Sequence, residues 1–529
     1  MTARPLGAQI SHMLKARGVD VIFGIPGVHN IEMYRGIEEA GIRHILARHE
    51  QGAGFMADGY ARASGKPGVA YVITGPGLTN VLTAAGQAYS DSVPLLVISS
   101  CLDETAARRG QLHQMIDQEG AGACVFDWSH EAHTPEAVYA LVERAFTEFA
   151  AARPRPKHIQ VPIASGGGMA PPAPPAPVGE ITRPVAVARD IEDVARRLRE
   201  ARRPLVVFGG GACGGAAHVA AVLEGSGAAA FTSYAGRGLV AADYPLNFGS
   251  YLARPDSARA IGQADLVLAV GTELAEVDLW RDDLGHTAPL IRVDIDPLQL
   301  DRPAPQMALV SDAAAFLGAL AGALPAHGDS DWDAGEISEA KTRWYAETDA
   351  ERPGILPVAE ALREALPGDT MIYSDMTQFA YAAKEVWQMH HPGHWHHPFG
   401  YGTLGFGLPA AIGGAIARAG QRTLAIVGDS GFQYTLQELG TAVEHRLPLP
   451  VVLWDNGKLK EIEDSMIRAQ IAPNAVVARN PDFCALARAY GAHTARPDTL
   501  KEMQSAVNAA LSADRPTLIH VRAGIAEGF

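Results

Sequence analysis

Residues 422–457 read RTLAIVGDSGFQYTLQELGTAVEHRLPLPVVLWDNG, and this stretch decides the fold. The runs Arg422–Val427 and Pro450–Trp454 are short, apolar and rich in β-branched residues, which predicts two buried strands. The segment Thr435–His445 between them has a helical pattern. A strand, a helix and a second strand in this order predict one βαβ unit, in which the two strands are parallel.

The turns after these two strands carry the groups that a hard cation needs. Gly428-Asp429-Ser430-Gly431 follows the first strand, and Asp455-Asn456-Gly457 follows the second. Carboxylate, amide and carbonyl oxygens are ligands that Mg²⁺ prefers, while glycines and helix N-terminal amides suit phosphates. Either turn alone is ordinary turn chemistry. Together, at the same edge of one sheet, they predict a site for Mg²⁺ and a diphosphate.

The same alternation of short apolar strands and Ala-rich helices occurs in three blocks, at about 1–164, 185–325 and 350–529. Buried strands that alternate with helices predict parallel sheets covered on both faces. The predicted fold class is therefore α/β, with three doubly wound domains. The Pro/Gly-rich stretch 165–184 and the polar stretch 326–349 are predicted linkers.

Composition excludes several classes of protein. The chain has 529 residues, 47% of them hydrophobic, and a formal net charge of −15 without a long Lys/Arg run. A nucleic-acid or membrane partner is therefore not expected. The start of the chain lacks a secretory apolar core, and the four cysteines lie far apart, which fits neither a disulfide framework nor a zinc knuckle. We expect a cytoplasmic, acidic, multi-domain protein.

A second candidate site lies in the first block. The segment Arg48–Ala53 follows the strand-like run IRHILA and opens an Ala-rich helix that contains Glu50. Taken alone, Glu50 is equally well explained as a carboxylate that the helix dipole stabilises at a helix start.

These stretches together resemble the thiamine diphosphate-dependent enzymes. The family's motif is Gly-Asp-Gly, a spacer and Asn-Asn, and here Ser430 replaces the third residue and Asp455 the first asparagine. The resemblance implies thiamine diphosphate and Mg²⁺ as cofactors, with Asp429, Asn456 and the carbonyl of Lys458 as metal ligands. It also implies that Glu50 faces N1′ of the cofactor's aminopyrimidine and exchanges a proton there.

The resemblance extends along the chain in the order pyrimidine-binding domain, central Rossmann-like domain and diphosphate-binding domain. It includes the turns Gly24–Gly27, Thr74–Asn80, Ser374–Gln378 and Gly402–Gly413, where Leu404 is by position the bulky residue beneath the bent cofactor. The implied cofactor-binding residues are Pro26, Gly27, Glu50, Thr74, Gly77, Asn80, Thr377, Gln378, Gly402, Leu404, Gly428, Asp429, Ser430, Gly431 and Asn456.

The resemblance also implies a substrate site. His113 is similar to the first member of the His-His pair of pyruvate decarboxylases and Gln114 stands at the second, so both are candidate catalytic residues. A loop histidine without function fits His113 equally well. The implied pocket residues are Val28, His29, Glu461, Ile462 and Ser465, whereas Glu463 and Asp464 are expected to face solvent.

Departures from the motifs reduce the number of family branches to which the chain can belong. Val28 stands where pyruvate decarboxylases have Asp and benzoylformate decarboxylase has Ser, and the region around Trp454 and Glu461 is most similar to acetolactate-synthase-like decarboxylases. Among these, the chain resembles 5-guanidino-2-oxopentanoate decarboxylase, whose substrate carries a guanidinium that Glu461 could bind. We therefore expect a non-oxidative decarboxylase of a 2-oxo acid, a lyase. The alternative is an acetolactate-synthase-like carboligase, an acyloin-forming transferase.

Two weaker patterns leave other readings open. Gly209–Gly214 fits a dinucleotide motif, but the next strand ends without an acidic residue for a ribose, so a structural turn is favoured over a nicotinamide site. FAD is not predicted. The histidines of His390–His397 are interrupted by Pro, Gly and Trp, which argues against a metal site. The resemblance further implies a homo-oligomer, dimer or tetramer, with active sites at the subunit interface.

Overall fold

The computed structural model describes residues 3–104 and 109–526. The chain divides into two compact units. The first unit runs through Ile181 and adds Met371–Thr377 and His397–Arg522, and the second contains Thr182–Thr370 and Gln378–His396. No helix in the described part of the chain is both long enough and apolar enough to cross a membrane.

The first unit begins with an N-terminal α/β domain. Its main sheet has six parallel strands in the order β3-β2-β4-β5-β7-β6, and β1 pairs with β8 antiparallel. The strands are β1 (Arg4–Pro5), β2 (Val21–Gly24), β3 (Arg43–Leu46), β4 (Gly68–Val72), β5 (Leu95–Cys101), β6 (Trp128–Glu131), β7 (Lys157–Pro162) and β8 (Met169–Ala170). The helices are α1 (Leu6–Ala16), α2 (Ile31–Tyr34), α3 (Glu50–Ser64), α4 (Pro76–Ser90), α5 (Gln118–Ala123), α6 (Pro135–Ala151) and α7 (Ile163–Gly167).

The second unit is a doubly wound domain with strand order β11-β10-β9-β12-β13-β14, the order of dinucleotide-binding folds. Its strands are β9 (Pro204–Phe208), β10 (Ala229–Thr232), β11 (Asn247–Gly249), β12 (Leu266–Val270), β13 (Leu290–Asp294) and β14 (Met307–Val310). Its helices are α8 (Ala188–Glu200), α9 (Ala216–Ser226), α10 (Ser257–Ile261), α11 (Glu276–Leu279), α12 (Ala313–Ala323), α13 (Ala334–Glu351), α14 (Leu356–Ala365) and α15 (Gln378–Val386). Short 3₁₀ helices cover Gly210–Gly215 and Pro297–Gln299.

The domain boundaries of the structure differ from those expected at both linkers. The start of the stretch 165–184 continues the N-terminal domain, because Met169–Ala170 pairs with Arg4–Pro5. The stretch 326–349 contains most of α13, whose Ile337 and Trp344 are buried in the core of the second unit. Polar residues dominate this helix, and its few apolar residues lie on the one face that packs.

The C-terminal part of the first unit has the same strand order as its N-terminal domain. The parallel order β15-β17-β18-β20-β19 corresponds strand for strand to β2-β4-β5-β7-β6. The strands are β15 (Met371–Ser374), β16 (Trp395–His396, in the second unit), β17 (Thr423–Gly428), β18 (Pro450–Asp455), β19 (His493–Ala495) and β20 (Thr517–Arg522). The helices are α16 (Gly407–Ala417), α17 (Asp429–Thr435), α18 (Leu439–Glu444), α19 (Lys460–Arg468), α20 (Phe483–Ala489) and α21 (Leu500–Ala510), with a 3₁₀ turn at Leu436–Glu438.

Helices α3 and α16 join the two halves of the first unit. They occupy equivalent places in the two sheets and share one buried core. A Cβ on Gly59 would lie 2.0 Å from the carbonyl oxygen of Ala410, and a Cβ on Gly413 would lie 1.9 Å from that of Met56. Glycine is therefore required at both positions, because the backbones approach too closely for any side chain. The predicted α/β class with parallel sheets is confirmed.

Candidate active site

The predicted βαβ unit places its two turns at one sheet edge. Strands β17 and β18 are parallel neighbours, with Gly428 opposite Trp454. The helical segment starts earlier than predicted, because α17 begins at Asp429 itself and the 3₁₀ turn Leu436–Glu438 separates it from α18. The carboxylate of Asp429 thus lies in the first turn of a helix, where the helix dipole favours negative charge.

The Asp429 carboxylate is buried and held by three donors. It is 4% exposed, its Oδ1 accepts from the amide of Ser430 at 2.8 Å, and its Oδ2 accepts from the amide of Gly457 at 3.0 Å. The side chain of Asn480 donates to the same Oδ2 at 2.7 Å. Burial raises the pKa of Asp429, and the nearby charge of Asp455 acts in the same direction.

Asp455 has its own positively polarised partners. Its Oδ2 lies 2.7 Å from Nε2 of His520, and its Oδ1 accepts from Asn480 at 2.9 Å. Burial acts to raise the pKa of Asp455, but the hydrogen bond and charge of His520, with Asn480 and the Gly457 amide, lower it overall. The departure from the family motif at Asp455 is therefore accommodated by His520 within β20.

The predicted acid of the N-terminal domain is the first residue of α3. Glu50 is 9% exposed, and its Oε2 accepts a hydrogen bond from the side chain of Asn80 at 2.9 Å. The ring of His49 precedes the helix and accepts from the amide of Gln51 at 3.1 Å. Two residues that were predicted separately, Glu50 and Asn80, therefore lie in contact.

The turn at Thr74–Gly77 packs against the loop that carries His113. Gly75 has φ 67°, and a Cβ on it would lie 2.4 Å from the carbonyl oxygen of His113. His113 itself has φ 62°, a strained conformation for a non-glycine residue. Its ring meets that of His29 edge to face at 5.0 Å, and burial, with the charge of His113, lowers the pKa of His29.

Three further predicted turns meet at the buried carboxylate of Asp375. It accepts from the amides of Met376 at 2.8 Å and Gly405 at 2.9 Å, and a Cβ on Gly431 would lie 2.9 Å from it. Burial raises the pKa of Asp375 to about 7, although the amides that donate to it act to lower it. The loop that contains Gly402 and Leu404 is thereby fixed beside the turn Gly428–Gly431, which is predicted to bind the diphosphate.

Comparisons with known proteins agree with this geometry. Models of the thiamine pyrophosphate (thiamine diphosphate, TPP) enzymes match in order: the N-terminal TPP binding domain over residues 4–121, the central domain over 191–320, and the C-terminal TPP binding domain over 375–521. These matches cover more than half of the chain. The chain belongs to the thiamine pyrophosphate enzyme family.

Several relatives match this thiamine pyrophosphate enzyme over almost their whole length. The protein named "Probable 2-ketoarginine decarboxylase AruI" of Pseudomonas aeruginosa is 44% identical, over 98% of this chain and 93% of its own. "Acetolactate synthase isozyme 2 large subunit" of Escherichia coli is 31% identical, over 97% and 95%. "Acetolactate synthase" of Arthrospira platensis is 28% identical, over 96% and 92%.

The residues present in this thiamine pyrophosphate enzyme fit a divalent cation. Asp429 and Asp455 both contact the Asn480 amide, at 2.7 and 2.9 Å, so a cation would compensate two close acids, of which Asp429 is buried. Asn456 and Lys458 lie on the same turn, and the Asn456 Oδ1 accepts from the Lys458 amide at 3.2 Å. Residues 3–104 and 109–526 contain no group of three or more His, Cys, Asp or Glu suited to a metal. A metal here would therefore need amide and carbonyl oxygens beside the Asp429 carboxylate, as Mg²⁺ can use.

The predicted pocket residues of the thiamine pyrophosphate enzyme lie on two separate elements. Val28, 64% exposed, and His29 follow the β2 turn, while Glu461, Ile462 and Ser465 lie on α19. On that helix, Ser465 donates to the Glu461 carbonyl at 2.8 Å, so its hydroxyl serves the helix backbone.

Two predicted orientations are wrong. Glu463 does not face solvent, because its side chain is 16% exposed and accepts from Nζ of Lys458 at 3.1 Å. Asp464 is also partly covered, since it pairs with Lys460.

Gln114, a predicted catalytic residue, contacts its own loop, because its Oε1 accepts from the amides of Gly110 at 3.0 Å and Gln111 at 3.2 Å. Gln378, a predicted cofactor residue, begins α15 in the second unit.

The weaker patterns of this thiamine pyrophosphate enzyme have structural explanations. A Cβ on Gly209 would lie 2.1 Å from the carbonyl oxygen of Gly271, and the Gly211 amide donates to that oxygen at 3.0 Å. These glycines therefore allow two turns of the second unit to touch. Of the histidine cluster, His397 lies 2.9 Å from the Ser374 hydroxyl.

Three residues of this arrangement were not predicted, and a fourth, Asp375, lies in the predicted turn Ser374–Gln378 but was not singled out there. Asn480, His520 and Asp375 hold the diphosphate-side turns, and Glu438 contacts the start of α3. One of them carries a signal in the sequence, since His520 interrupts the otherwise apolar run of β20. The partners of Asn480 are remote in sequence, and no local pattern marks it.

Proposed function

We propose that this thiamine pyrophosphate enzyme is a Mg²⁺-dependent, non-oxidative decarboxylase of a 2-oxo acid with a cationic side chain. The observation that carries the proposal is the 44% identity, over 98% of the chain, to a relative named as a 2-ketoarginine decarboxylase. 2-Ketoarginine is 5-guanidino-2-oxopentanoate, a 2-oxo acid with a guanidinium. The Glu50–Asn80 pair and the buried Asp429 support the same chemistry.

Residues of this chain would hold the metal, support the cofactor and transfer the proton. Asp429, Asn456 and the Lys458 carbonyl would hold Mg²⁺, and Leu404 would support the bent cofactor. When bound, thiamine diphosphate supplies a carbon nucleophile and an electron sink for decarboxylation. Glu50 holds and moves a proton at its carboxyl oxygens, while the amide of Asn80 fixes one of these oxygens in place.

A substrate carboxylate would need a positive or hydrogen-bonding partner on the N-terminal domain. His29 and His113 lie in edge-to-face contact beside Gly75, and we assign them to this region of the pocket. A neutral imidazole can both donate and accept near neutral pH. The backbone strain at His113 supports a functional role for this loop.

Glu461 is the proposed partner of the substrate's cationic end. Its carboxylate already lies 3.6 Å from the guanidinium of Arg468, so its environment accepts such a group. Carboxylate–guanidinium pairs are strengthened by charge and can be bidentate. A substrate with a neutral side chain would not form such a charged pair with Glu461.

Substrate assays test the proposal. CO₂ release should be fastest with 5-guanidino-2-oxopentanoate, compared with apolar and aromatic 2-oxo acids, and Glu461→Gln should lower its kcat/KM by about 10-fold or more. Asp464→Asn is the matched control, because Asp464 is on the same helix but pairs with Lys460. Equal rates for all substrates would refute the cationic assignment, and an unchanged preference in Glu461→Gln would refute the role of Glu461.

Carboligation is the second candidate. It is favoured by the 31% identity, over 97% of the chain, to an acetolactate synthase large subunit. Product analysis after incubation with pyruvate separates the two reactions. Free aldehyde indicates decarboxylation alone, whereas acetolactate indicates transfer to a second carbonyl.

A further inference from the structure

Glu438 is a buried acid that the proposed mechanism does not use. It ends the 3₁₀ turn Leu436–Glu438 in the C-terminal half of the first unit, and its side chain has no exposed surface. Burial raises the pKa of Glu438 to about 7, although its hydrogen bonds act to lower it. A desolvated carboxylate is costly to maintain, so its partners identify what it does.

The partners of Glu438 are the last two backbone amides before helix α3. Its Oε1 accepts from the amide of Arg48 at 3.0 Å and from that of His49 at 2.9 Å. Its Oε2 lies 3.1 Å from the Arg48 amide and accepts from the hydroxyl of Thr441 at 2.9 Å. Since α3 begins at Glu50, this carboxylate fixes the chain immediately before the predicted acid.

The first turn of α3 is shaped to receive this carboxylate. A Cβ on Gly52 would lie 2.2 Å from Oε1 of Glu438 and 2.6 Å from its carboxyl carbon. Any side chain at position 52 would therefore push the carboxylate away from the amides of Arg48 and His49.

Neighbouring contacts hold the same segment from the side. The Thr441 hydroxyl lies 3.2 Å from the carbonyl oxygen of Leu46, and the Arg48 guanidinium lies 2.5 Å from Glu444. The Glu444 contact is half-exposed and involves only the Arg48 side chain. It therefore provides a nearby carboxylate that touches the same residue without touching its backbone.

We propose that Glu438 is a positioning residue for Glu50, whose carboxylate fixes the backbone at residues 48–49 and so the direction in which Glu50 leaves α3 toward Asn80. The inference rests on the proposed function, because it assumes that Glu50 handles the proton. Charge-assisted hydrogen bonds to backbone amides are stronger than neutral ones. A shift of about 1 Å in a reacting group can cost about 100-fold in rate.

Two variants disturb this contact in different ways. Glu438→Gln keeps the size but removes the negative charge and one of the two acceptor oxygens. Gly52→Ala displaces the carboxylate without changing its charge. Both should lower kcat by about 10- to 100-fold, while KM and the thiamine diphosphate Kd change by at most about threefold. Glu444→Gln is the matched control and should behave as wild type.

Hydrogen exchange gives a readout that does not depend on activity. In Glu438→Gln and in Gly52→Ala, the peptide that covers residues 46–52 should exchange faster than in wild type, and in Glu444→Gln it should not. If Glu438→Gln does not fold, the same measurements are made on Gly52→Ala and on Glu438→Asp, in which the side chain is shorter but still acidic. Wild-type kcat or unchanged exchange at residues 46–52 in the folded variants would overturn the inference.

Glu50→Gln, assayed in parallel, distinguishes the positioning role of Glu438 from the proposed role of Glu50. If Glu50→Gln loses turnover but Glu438→Gln and Gly52→Ala do not, the positioning role fails and the proposed function stands. If Glu50→Gln keeps full turnover, the proposed role of Glu50 itself fails.

Discussion

At the scale of single residues, the site depends on acids that the fold removes from water. Glu50, Asp375, Asp429 and Glu438 are all buried, and each accepts hydrogen bonds from amide groups. Burial raises the pKa of Asp375, Asp429 and Glu438, which means that the fold works against their ionisation. Such desolvated, hydrogen-bonded acids are typical of functional sites rather than of stabilising surface pairs.

Glu50→Gln tests the central acid. The variant keeps the shape and the Asn80 contact but cannot exchange a proton, so we expect thiamine diphosphate to bind while turnover falls by about 100-fold or more. Calorimetric titration of the cofactor with Mg²⁺ and steady-state CO₂ release measure the two effects. Turnover equal to wild type would contradict the role of Glu50.

Asp375 should make stability depend on pH. Its pKa is raised from 3.8 to about 7 in the folded chain, so the folded state binds the proton more tightly. Its contribution is therefore complete below pH 3.8 and is lost as the pH rises through about 7. Asp375→Asn lacks this titration, and its unfolding free energy relative to wild type should rise by about 2–3 kcal/mol from about pH 5 to about pH 8.

Denaturant unfolding of both proteins at the two pH values measures the effect. Because Asn has only one of the two oxygens that accept from the Gly405 and Met376 amides, the variant is expected to be less stable in absolute terms at low pH. Only the pH-dependent difference bears on the prediction. A constant difference across this pH range would show that Asp375 does not titrate there.

At the scale of secondary structure, the backbones of helices α3 and α16 approach each other too closely for side chains between them. The backbones meet at Gly59 and Gly413. The start of α3 bears Glu50, and the loop before α16 bears Leu404, so the contact connects two predicted site elements.

Gly413→Ala should destabilise the protein. Its Cβ would lie 1.9 Å from the Met56 carbonyl oxygen, so the helices must separate, at a cost of about 1–3 kcal/mol. Gly322→Ala is the matched control, since it lies in helix α12 with no neighbour within 4 Å and should stabilise by about 0.5–1 kcal/mol. Denaturant midpoints compare the two, and equal midpoints would contradict the close approach.

The sequence predicts elements well where one local pattern dominates. The runs that became β2, β4, β9, β12, β17 and β18 are continuous and apolar, so their burial follows directly from composition. The predicted helix Thr435–His445 was broken by a 3₁₀ turn that tertiary contacts of Glu438 explain. Helix α13 was missed because its burial depends on two or three residues within a polar stretch.

Prediction of the site follows the same division. Asp429 and Asn456 follow adjacent strands, and topology alone brings them to one edge. Asn480 and Glu438 bind groups that are distant in sequence, such as Asp429 and the amides of residues 48 and 49. Such contacts depend on packing between elements, which no short pattern encodes.

At the scale of the whole molecule, the first unit contains two sheets with the same strand order. One sheet carries Glu50 and the other carries Asp429. We propose that two copies of the chain assemble each active site, with Glu50 from one copy and Asp429 from the other. Symmetric homo-oligomers commonly build shared sites in this way.

Complementation tests the shared site. Glu50→Gln and Asp429→Ala should each be inactive alone, and Asp429→Ala should also lose Mg²⁺-dependent cofactor binding in calorimetry. Co-expression of the two variants should restore roughly a quarter of wild-type activity, because mixed pairs contain one intact site. No recovery, or a fully active monomer on a sizing column, would exclude a site built from two copies.

The contact between α3 and α16 has a consequence for biosynthesis. Most of the second unit, Thr182–Thr370 and Gln378–His396, lies between the two helices along the chain, and the ribosome adds about 5–20 residues per second. The face of α3 that packs against α16, which includes Met56 and Gly59, therefore stays uncovered for tens of seconds after it emerges. During that interval the nascent polypeptide exposes apolar surface that can aggregate. Its yield in a cell therefore depends on the factors that cover this surface until α16 has been synthesised.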